Sequence, residues 1–222
     1  MSTILIAGAT GLIGRACVDR ALIDARITKV IVLTRRALEL SHPKIVQWVA
    51  PDGQLLSGLR REQVDAVLCC LGTTIATVKG DKQAFIHVDK DLVVGIGHWA
   101  KANNVPTFCV VSAIGADASS RIFYSRVKGE MEGALIDIGL PQLHIFQPSM
   151  LVGPRTEERM GERMGIVLGK VFSPLLLGSL AKYKPMPHDV LAKAMINASL
   201  GVPGTSKAGI HAYTAIQELA SR

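Results

Sequence analysis

Six short β-rich runs alternate with helical patterns along the first 150 residues, and this alternation limits the possible folds more than any other feature. The runs are TILIA, KVIVLT, KIVQWV, DAVLCCLG, TFCVVS and LHIFQP. Alternation of this kind predicts a parallel sheet, because a helix usually forms the crossover between two parallel strands. Hydrophobic residues make up 49% of the chain and aromatic residues only 5%, which fits aliphatic strands buried on both faces. We therefore predict an α/β fold with a doubly wound, mostly parallel sheet.

Helical periodicity between the runs predicts the crossover helices. It covers residues 14–25, 82–102 and 124–138, and a further short helix is expected after Asp52. A chain of 222 residues is long enough for one domain of ordinary size but short for two. We predict a single domain over residues 1–222.

The regular alternation fades from residue 153 onward. There follow a polar run, an apolar stretch over 164–180, a helix over 189–200 and a last strand, GIHAYT. A lysine and a proline interrupt the apolar stretch, so it is too short to span a bilayer. A helix pair that covers the core is predicted there, with an interaction surface as the alternative. Residues 153–222 are expected to contribute a small C-terminal lobe on the substrate side.

The motif GATGLIG, residues 8–14, follows the first strand and opens the first helix. In this context Gly8 permits a tight turn, Gly11 lets the backbone approach a pyrophosphate, and Gly14 lets the helix pack closely on the sheet. The helix N-terminus presents free N–H groups and a partial positive charge to the phosphates. These features predict a dinucleotide site formed by Gly8, Thr10, Gly11, Leu12, Ile13 and Gly14.

The second strand ends in LTRR, where an enzyme that selects NAD usually carries an acidic residue for the ribose 2′-hydroxyl. Arg35 and Arg36 instead offer guanidinium groups suited to a 2′-phosphate. We predict NADP(H) as the cofactor; the alternative is a solvated basic turn.

A serine, a tyrosine and a lysine follow in the second half of the predicted sheet. Ser112 stands at the carboxyl end of the fifth strand, where open α/β sheets place ligand chemistry. The run YSRVKGEMEG then places Tyr124 and Lys128 one turn apart on the same helix face. A tyrosine titrates near pH 10, so it needs a cationic neighbour for proton exchange at neutral pH, roughly three units lower.

Together these motifs resemble the short-chain dehydrogenase/reductase superfamily, which has the Rossmann fold. The blocks CCLGTT, FIHVDKD, VVSAIGADASS, YSRVKGEMEG and QPSMLVGPRTEER extend the resemblance, over nearly the whole chain, to the atypical Tat-interacting oxidoreductase group. The resemblance implies that Tyr124 exchanges a proton with the substrate oxygen. It also implies that Lys128 assists this exchange and holds the nicotinamide ribose, and that Ser112 hydrogen-bonds the substrate.

The resemblance also enlarges the predicted cofactor site. The cofactor-binding residues that it adds are Leu71, Gly72, Lys128, Pro148 and Leu151. Related proteins have Arg-Pro-Gly after the sixth strand, whereas this chain has Gln147 in place of the arginine. Many dehydrogenases keep an asparagine in the fourth helix to organise a relay water, and this chain has Asp89 there, as the atypical group does.

Four further groups of polar residues allow more than one interpretation. His87 and Asp89 lie on a helix that faces the ligand edge of the sheet and could touch substrate, but the interpretation without substrate contact is favoured. Arg155 and Arg159, one turn apart, could hold an acidic substrate or the cofactor phosphates, but a solvated ion-pair face is favoured. Asp189 is interpreted as a helix N-cap. The four cysteines have no metal-ligand spacing and indicate reduced, inert thiols, and no metal site is predicted.

The net charge of +7 is scattered, with no basic run longer than two residues, which favours anionic small ligands over nucleic acid. The chain begins directly with a strand rather than a leader. From these features we predict a cytoplasmic protein, monomeric or weakly dimeric, without a nucleic-acid or membrane partner.

Two functions remain open at this stage. The first is an NADP(H)-dependent oxidoreductase that interconverts a carbonyl and an alcohol on an unidentified small molecule through Ser112, Tyr124 and Lys128. The alternative is a regulatory module that binds NADP(H) without turnover and signals the cofactor state to a protein partner. A sugar-nucleotide epimerase or dehydratase fits the glycine motif, but too few residues follow the sixth strand.

Overall fold

A seven-stranded parallel sheet forms the centre of the protein in the computed structural model, which describes residues 1–153, 183–201 and 208–222. The strands run in the order β3-β2-β1-β4-β5-β6-β9. They are β1 (Ser2–Ala7), β2 (Ile27–Thr34), β3 (Ile45–Val49), β4 (Ala66–Cys69), β5 (Thr107–Val111), β6 (Gln142–Phe146) and β9 (Ala208–His211). Two short strands, β7 (Leu151–Val152) and β8 (Met186–Pro187), pair separately.

Helices cover both faces of the sheet. The described helices are α1 (Leu12–Ile23), α2 (Lys82–Ile86), α3 (Leu92–Ala102), α4 (Phe123–Ile138), α5 (His188–Ser199) and α6 (Tyr213–Ser221). A 3₁₀ turn spans Leu55–Gly58, and a π-helical turn spans His87–Asp91 between α2 and α3. The predicted doubly wound α/β fold is therefore confirmed.

Alternating strand residues divide the core into two layers, because successive side chains of a strand point to opposite faces. Ile4 and Ile6 of β1 pack in the layer with α1, α5 and α6. Leu5 and Ala7 pack in the opposite layer with α3 and α4. The chain leaves β1 in one direction to β2 and β3 and then crosses to β4 on the other side, so the carboxyl ends of β1 and β4 border the crevice where open α/β sheets bind ligands.

Three local predictions need correction. The helix predicted over 82–102 contains the π-helical turn, an irregularity often found at functional sites. The last strand ends at His211, and the residues predicted to continue it start α6 instead. Asp189 is not an N-cap: Pro187 occupies that position, and Asp189 lies in the first turn of α5, 3.7 Å from the Arg20 guanidinium.

The C-terminal part of the chain contributes to the main layers where it is described. There β9 extends the sheet beside β6, and α5 packs on α1. Arg155, Arg159, the apolar stretch 164–180 and thus most of the predicted lobe lie outside the described residues, so the lobe stays a prediction. Within the described ranges, no helix has the length and apolar character needed to cross a membrane. The same ranges contain no group of three or more His, Cys, Asp or Glu residues that could hold a metal ion.

Candidate functional site

The glycine-rich loop joins β1 to α1 with almost no space for side chains. A Cβ atom on Gly8, whose φ is +83°, would lie 2.7 Å from the Cys70 carbonyl oxygen, and one on Gly14 would lie 2.1 Å from the Gly8 oxygen. A Cβ on Gly11 would instead meet the Gly8 oxygen at 3.4 Å, an ordinary contact. Gly8 and Gly14 are thus needed by the fold itself, whereas Gly11 is free for a ligand to approach.

A cleft of about 680 Å³ opens above this loop, at the carboxyl ends of β1, β4 and β5. Ten of the residues predicted from the sequence line it: Thr10, Gly11, Leu12, Ile13, Leu71, Gly72, Ser112, Tyr124, Lys128 and Leu151. Gly11 is the N-cap of α1 and makes no side-chain capping bond, so the first N–H groups of the helix are available to a ligand. The cleft has the position and polarity expected for a dinucleotide.

Five predicted residues do not line the cleft. Gly8 and Gly14 shape the loop beneath it. Arg35 and Arg36 are exposed directly after β2. Pro148 is buried, and its carbonyl oxygen accepts a 3.0 Å hydrogen bond from the Ile114 N–H, which ties together the segments that follow β5 and β6.

Ser112 brings a buried hydroxyl to the cleft. Its backbone N–H donates to the Phe146 carbonyl oxygen at 2.7 Å, which fixes the end of β5 against β6. The side chain is buried, and its Oγ makes no hydrogen bond of ordinary geometry within the described residues. The hydroxyl is near enough to the Glu132 carboxyl group to lower the pKa of that group, and a ligand that enters the cleft can supply the hydrogen bond of ordinary geometry that it lacks.

Lys128 is held by a buried carboxylate. Its Nζ lies 2.8 Å from Asp89 Oδ1, and the two side chains are only 4% and 1% exposed. The other oxygen, Asp89 Oδ2, accepts a 2.8 Å hydrogen bond from the Thr73 N–H, in the loop that follows β4. Asp89 belongs to the π-helical turn, and it lines the cleft with Lys128. His87, from the same turn, is absent from the cleft wall and faces Asp91 on the surface at 3.9 Å.

Tyr124 lies at the start of α4 on the cleft wall. It is 40% exposed, and its ring packs against Phe85 with 5.8 Å between centroids. Ser112, Tyr124 and Lys128 therefore face one cavity, which is the arrangement predicted from their spacing.

Glu132 is a buried acidic residue that the sequence analysis missed. It follows Lys128 by one helical turn and is 7% exposed. Gln147 Nε2 donates to both of its carboxyl oxygens at 3.0 Å. Burial raises the pKa of Glu132, although the Ser112 hydroxyl, the Gln147 amide and the Lys128 charge oppose this rise. The signal was available in YSRVKGEMEG, because residues four apart share a helix face.

Several residues that line the cleft were also missed by sequence reasoning, whereas Glu132 lies behind Ser112 and Lys128 and does not line it. They are Arg15, Ala16, Asp19, Cys70, Thr73, Thr77, Val111 and His188. Arg15 and Asp19 lie one turn apart on α1, directly after the glycine motif, and their position on that helix could have indicated them. His188 comes from the distant helix α5, and its Nδ1 lies 3.2 Å from the Val152 oxygen.

The cysteines are all free thiols. Burial raises the pKa of Cys69 to about 12 and also raises that of Cys109. Cys70 lies 4.0 Å from Cys17 between sulfur atoms, and this contact together with burial raises its pKa as well. Thiols held in the protonated form are poor nucleophiles, in keeping with inert core residues.

Comparison with known proteins shows which family the chain belongs to. A family model described as NAD(P)H-binding matches residues 8–140, more than half of the chain. Protein HTATIP2 of Rattus norvegicus is 32% identical over 209 residues, which cover 92% of this chain and 84% of that protein. Protein FMP52, mitochondrial, of Lodderomyces elongisporus is 31% identical over 192 residues, which cover 79% and 80% of the two chains.

Solved structures show the same fold at low sequence identity. The Bordetella bronchiseptica enzyme WbmH, crystallised in complex with NAD+, matches with a TM-score of 0.65 and 20% identity, over 100% of this chain and 79% of that one. At this identity the likeness establishes the fold alone.

The prediction of a cytoplasmic location is wrong by these comparisons. The Lodderomyces elongisporus relative and further fungal relatives of the same name are described as mitochondrial. The prediction rested partly on four reduced thiols, but three of them are buried where solvent and oxidants do not reach, so their reduced state does not identify a compartment.

The glycine loop, the cleft and the relatives lead to one assignment. The chain belongs to the NAD(P)H-binding family, in the Tat-interacting oxidoreductase group of atypical short-chain dehydrogenases/reductases.

Proposed function

We propose that this protein is an NADP(H)-dependent oxidoreductase that interconverts a carbonyl and an alcohol in the cleft between β1, β4 and β5. The observation that carries the proposal is the buried hydroxyl of Ser112 on the same cavity wall as Tyr124 and Lys128. A hydroxyl in that position can hydrogen-bond a substrate oxygen, and an adjacent phenol can exchange a proton with it.

Binding of the dinucleotide follows from the loop. Gly11 leaves the backbone open to a pyrophosphate, and the N-terminus of α1 supplies N–H donors and positive potential. Nicotinamide, when bound, supplies or accepts the hydride. The carbonyl oxygen of a substrate would accept hydrogen bonds from Ser112 and Tyr124, and Tyr124 would donate the proton that completes the alcohol.

We propose NADP(H) over NAD(H) because of three arginines, two that are exposed directly after β2 and one on the cleft wall. Arg35 and Arg36 follow β2, at the position that discriminates the ribose 2′-hydroxyl from a 2′-phosphate in Rossmann folds. Arg15 lies on the cleft wall itself. Guanidinium groups bind phosphate oxygens through charge-assisted hydrogen bonds, which are roughly twice as strong as neutral ones.

The second candidate function is a regulatory module that binds NADP(H) without turnover. The pairing of Lys128 with Asp89 favours it, because the lysine of a Tyr-Lys pair must hold the ribose and assist the tyrosine, and here its ammonium already has a partner. In this function the cleft reports cofactor state to a protein partner. We propose a mitochondrial location for either function, on the names of the relatives, and import into isolated mitochondria tests it.

Two measurements test the proposed function. Titration calorimetry with NADPH and NADH comes first, and we expect NADPH to bind at least about tenfold more tightly, a difference of about 1.4 kcal/mol. The second is a panel of aldehydes and ketones with NADPH, read at the nicotinamide absorbance. Turnover that disappears in Tyr124→Phe supports the enzyme. Tight NADPH binding without turnover across the panel supports the regulatory module, and absence of nucleotide binding contradicts both.

A further inference from the structure

Glu132 is a buried titratable residue that the proposed reaction does not use. Its carboxyl group lies between the end of β6, through Gln147, and the end of β5, through Ser112. Lys128 precedes it by one turn of α4 and lowers its pKa through charge. The carboxyl group therefore contacts or faces two of the three residues assigned to the reaction.

The charges around Glu132 do not fully compensate an ionised carboxylate. Lys128, the nearest cation, is paired with Asp89 at 2.8 Å, and that carboxylate offsets its charge. Gln147 donates hydrogen bonds at 3.0 Å but carries no charge. A buried carboxyl group with neutral donors and a shared cation binds a proton more readily than an exposed one.

Other charged groups on the elements packed around Glu132 are turned away or paired elsewhere. On the exposed face of α4, Glu130 pairs with Lys90 at 2.7 Å. In the loop after β5, the Asp117 carboxylate accepts hydrogen bonds from Ser119. Phe146 packs in the layer of α1 and α5, on the opposite face of the sheet, and His211 of β9 pairs with it and contacts its ring, so His211 shares that face.

His144 lies two residues from Phe146 along β6 and so shares that opposite face. Within the described residues, Lys128, with Asp89 paired to it, is thus the charged group that acts on Glu132. Cys69 of β4 packs on the same side of the sheet, and burial raises the pKa of its thiol to about 12, so it stays neutral. A change of charge in the cleft therefore acts on Glu132 through Lys128 and Ser112.

We propose that Glu132 makes the protein distinguish oxidised from reduced dinucleotide: its carboxyl group releases a proton when NADP+ occupies the cleft and keeps it when NADPH does. The inference rests on the proposed function, which places the nicotinamide ring beside Ser112 and Lys128. The ring is a cation when oxidised and neutral when reduced, so only the oxidised form supplies the missing positive charge. The released proton passes to solvent, and no other bond is made or broken.

The proposal is tested by binding NADP+ and NADPH to the whole protein across about pH 5 to about pH 8. We expect the affinity for NADP+, relative to NADPH, to rise with pH by at least about threefold, which corresponds to a shift of half a pKa unit. Calorimetry in two buffers of different ionisation enthalpy should show more proton release for NADP+ than for NADPH, because protons from the 2′-phosphate, whose second pKa is about 6, are common to both nucleotides.

Two variants show whether the pH dependence comes from titration of Glu132 or from titration of other groups. Glu132→Gln keeps the shape but cannot ionise, so its relative affinity should be independent of pH. Gln147→Arg supplies a full charge to Glu132, ionises it in both complexes and should likewise remove the pH dependence. Circular dichroism verifies that each variant is folded. If Glu132→Gln does not fold, Gln147→Arg tests the proposal by itself.

The outcomes distinguish this inference from the proposed function. A pH dependence that persists unchanged in Glu132→Gln or Gln147→Arg overturns the role of Glu132, as does equal proton release on binding NADP+ and NADPH. Both results leave the dinucleotide site intact. Failure of wild-type protein to bind either nucleotide would overturn the proposed function, and this inference with it.

Discussion

Lys128 Nζ lies 2.8 Å from Asp89 Oδ1 in a setting where both side chains are almost fully buried. The pair links α4 to the π-helical turn, and the Thr73 N–H extends the link to the loop after β4. The Lys128 ammonium group, which a Tyr-x-x-x-Lys motif uses to bind a ribose, therefore also stabilises the fold through this ion pair. Removing either partner leaves the other charged and buried, which is costly.

Breaking this ion pair should destabilise the fold. We expect Asp89→Ala and Lys128→Ala each to lower the free energy of unfolding by about 3–5 kcal/mol, because each leaves an uncompensated buried charge. The double variant should be less destabilised than the sum of the two by more than about 1 kcal/mol. Urea denaturation followed by circular dichroism measures all three values. Additive losses would show that the two groups are not coupled.

The glycines of the loop should separate binding from folding. Gly11→Val should remain folded and lose nucleotide binding, because its Cβ meets only the Gly8 oxygen at 3.4 Å while its methyl groups would fill the pyrophosphate space. Gly14→Ala should lower stability by about 1–3 kcal/mol or more, since its Cβ would lie 2.1 Å from the Gly8 oxygen. Thermal unfolding and calorimetry distinguish the two effects.

Gly133 in α4 is a matched control for these substitutions. A Cβ there has no neighbour within 4 Å. Gly133→Ala should leave nucleotide binding unchanged and raise stability by up to about 1 kcal/mol, the difference in helix propensity. Normal binding by Gly11→Val would contradict the assignment of the loop as the phosphate cradle.

The sequence was sufficient to predict the sheet and the glycine loop because those signals are local. Alternating runs define parallel strands, and GATGLIG stands between one strand and one helix. Ser112, Tyr124 and Lys128 were also placed correctly on one cavity, since the end of β5 and the start of α4 are close in sequence.

The rest depended on contacts between distant segments. The partner of Lys128 lies 39 residues away, in a turn whose π-helical geometry has no signature in FIHVDKD. Glu132 acquires its meaning from Gln147, which follows a strand that only the folded sheet brings beside α4. His188 reaches the cleft from α5 through tertiary packing alone.

The basic residues after β2 should determine the preference for the 2′-phosphate. Arg35→Ala/Arg36→Ala should weaken NADPH binding at least about tenfold and leave NADH binding unchanged, because only NADPH has the phosphate that these groups bind. Arg60→Ala/Arg61→Ala removes the same charge from another exposed pair and should change neither affinity. An unaltered ratio of NADPH to NADH affinities in the first variant would refute this role and direct attention to Arg15.

Acid should weaken the attachment of β9 through two histidines. His144 Nδ1 lies 2.8 Å from His211 Nε2, and burial, then the neighbouring ring, lowers the pKa of His144 to about 4. Burial and Arg222 lower that of His211. A histidine with a lowered pKa in the folded state contributes its full stability above about pH 6.5, and this is lost as pH falls toward the folded pKa.

We therefore expect the free energy of unfolding to fall by about 1–2 kcal/mol between about pH 6.5 and about pH 4, after allowance for the solvent that screens these half-buried rings. His144→Leu/His211→Leu removes both partners together and should flatten this part of the profile. Denaturant unfolding at several pH values measures the effect. A slope that is the same in both proteins would assign the acid sensitivity to other groups.

Tyr124 and Lys128 should have separable roles once the ion pair is taken into account. Lys128→Ala alone confounds binding with stability, so the informative variant is Asp89→Asn/Lys128→Met, which removes both charges of the pair and keeps an acceptor for the Thr73 N–H. We expect it to fold and to bind NADPH more weakly, because the ribose contact is lost. Tyr124→Phe should fold and bind NADPH normally, since its ring packing against Phe85 is retained.

The kinetics then decide between the two functions. In the enzyme, Tyr124→Phe should lower kcat by at least about a hundredfold, a typical contribution of a positioned proton donor, with little change in NADPH affinity. In the regulatory module the same change should alter nothing measurable, whereas Asp89→Asn/Lys128→Met should still weaken NADPH binding. The assay measures turnover of the substrate found in the aldehyde and ketone panel, and it follows the nicotinamide absorbance. Full turnover in Tyr124→Phe would exclude Tyr124 as the proton donor and leave Ser112 as the remaining hydroxyl in contact with substrate.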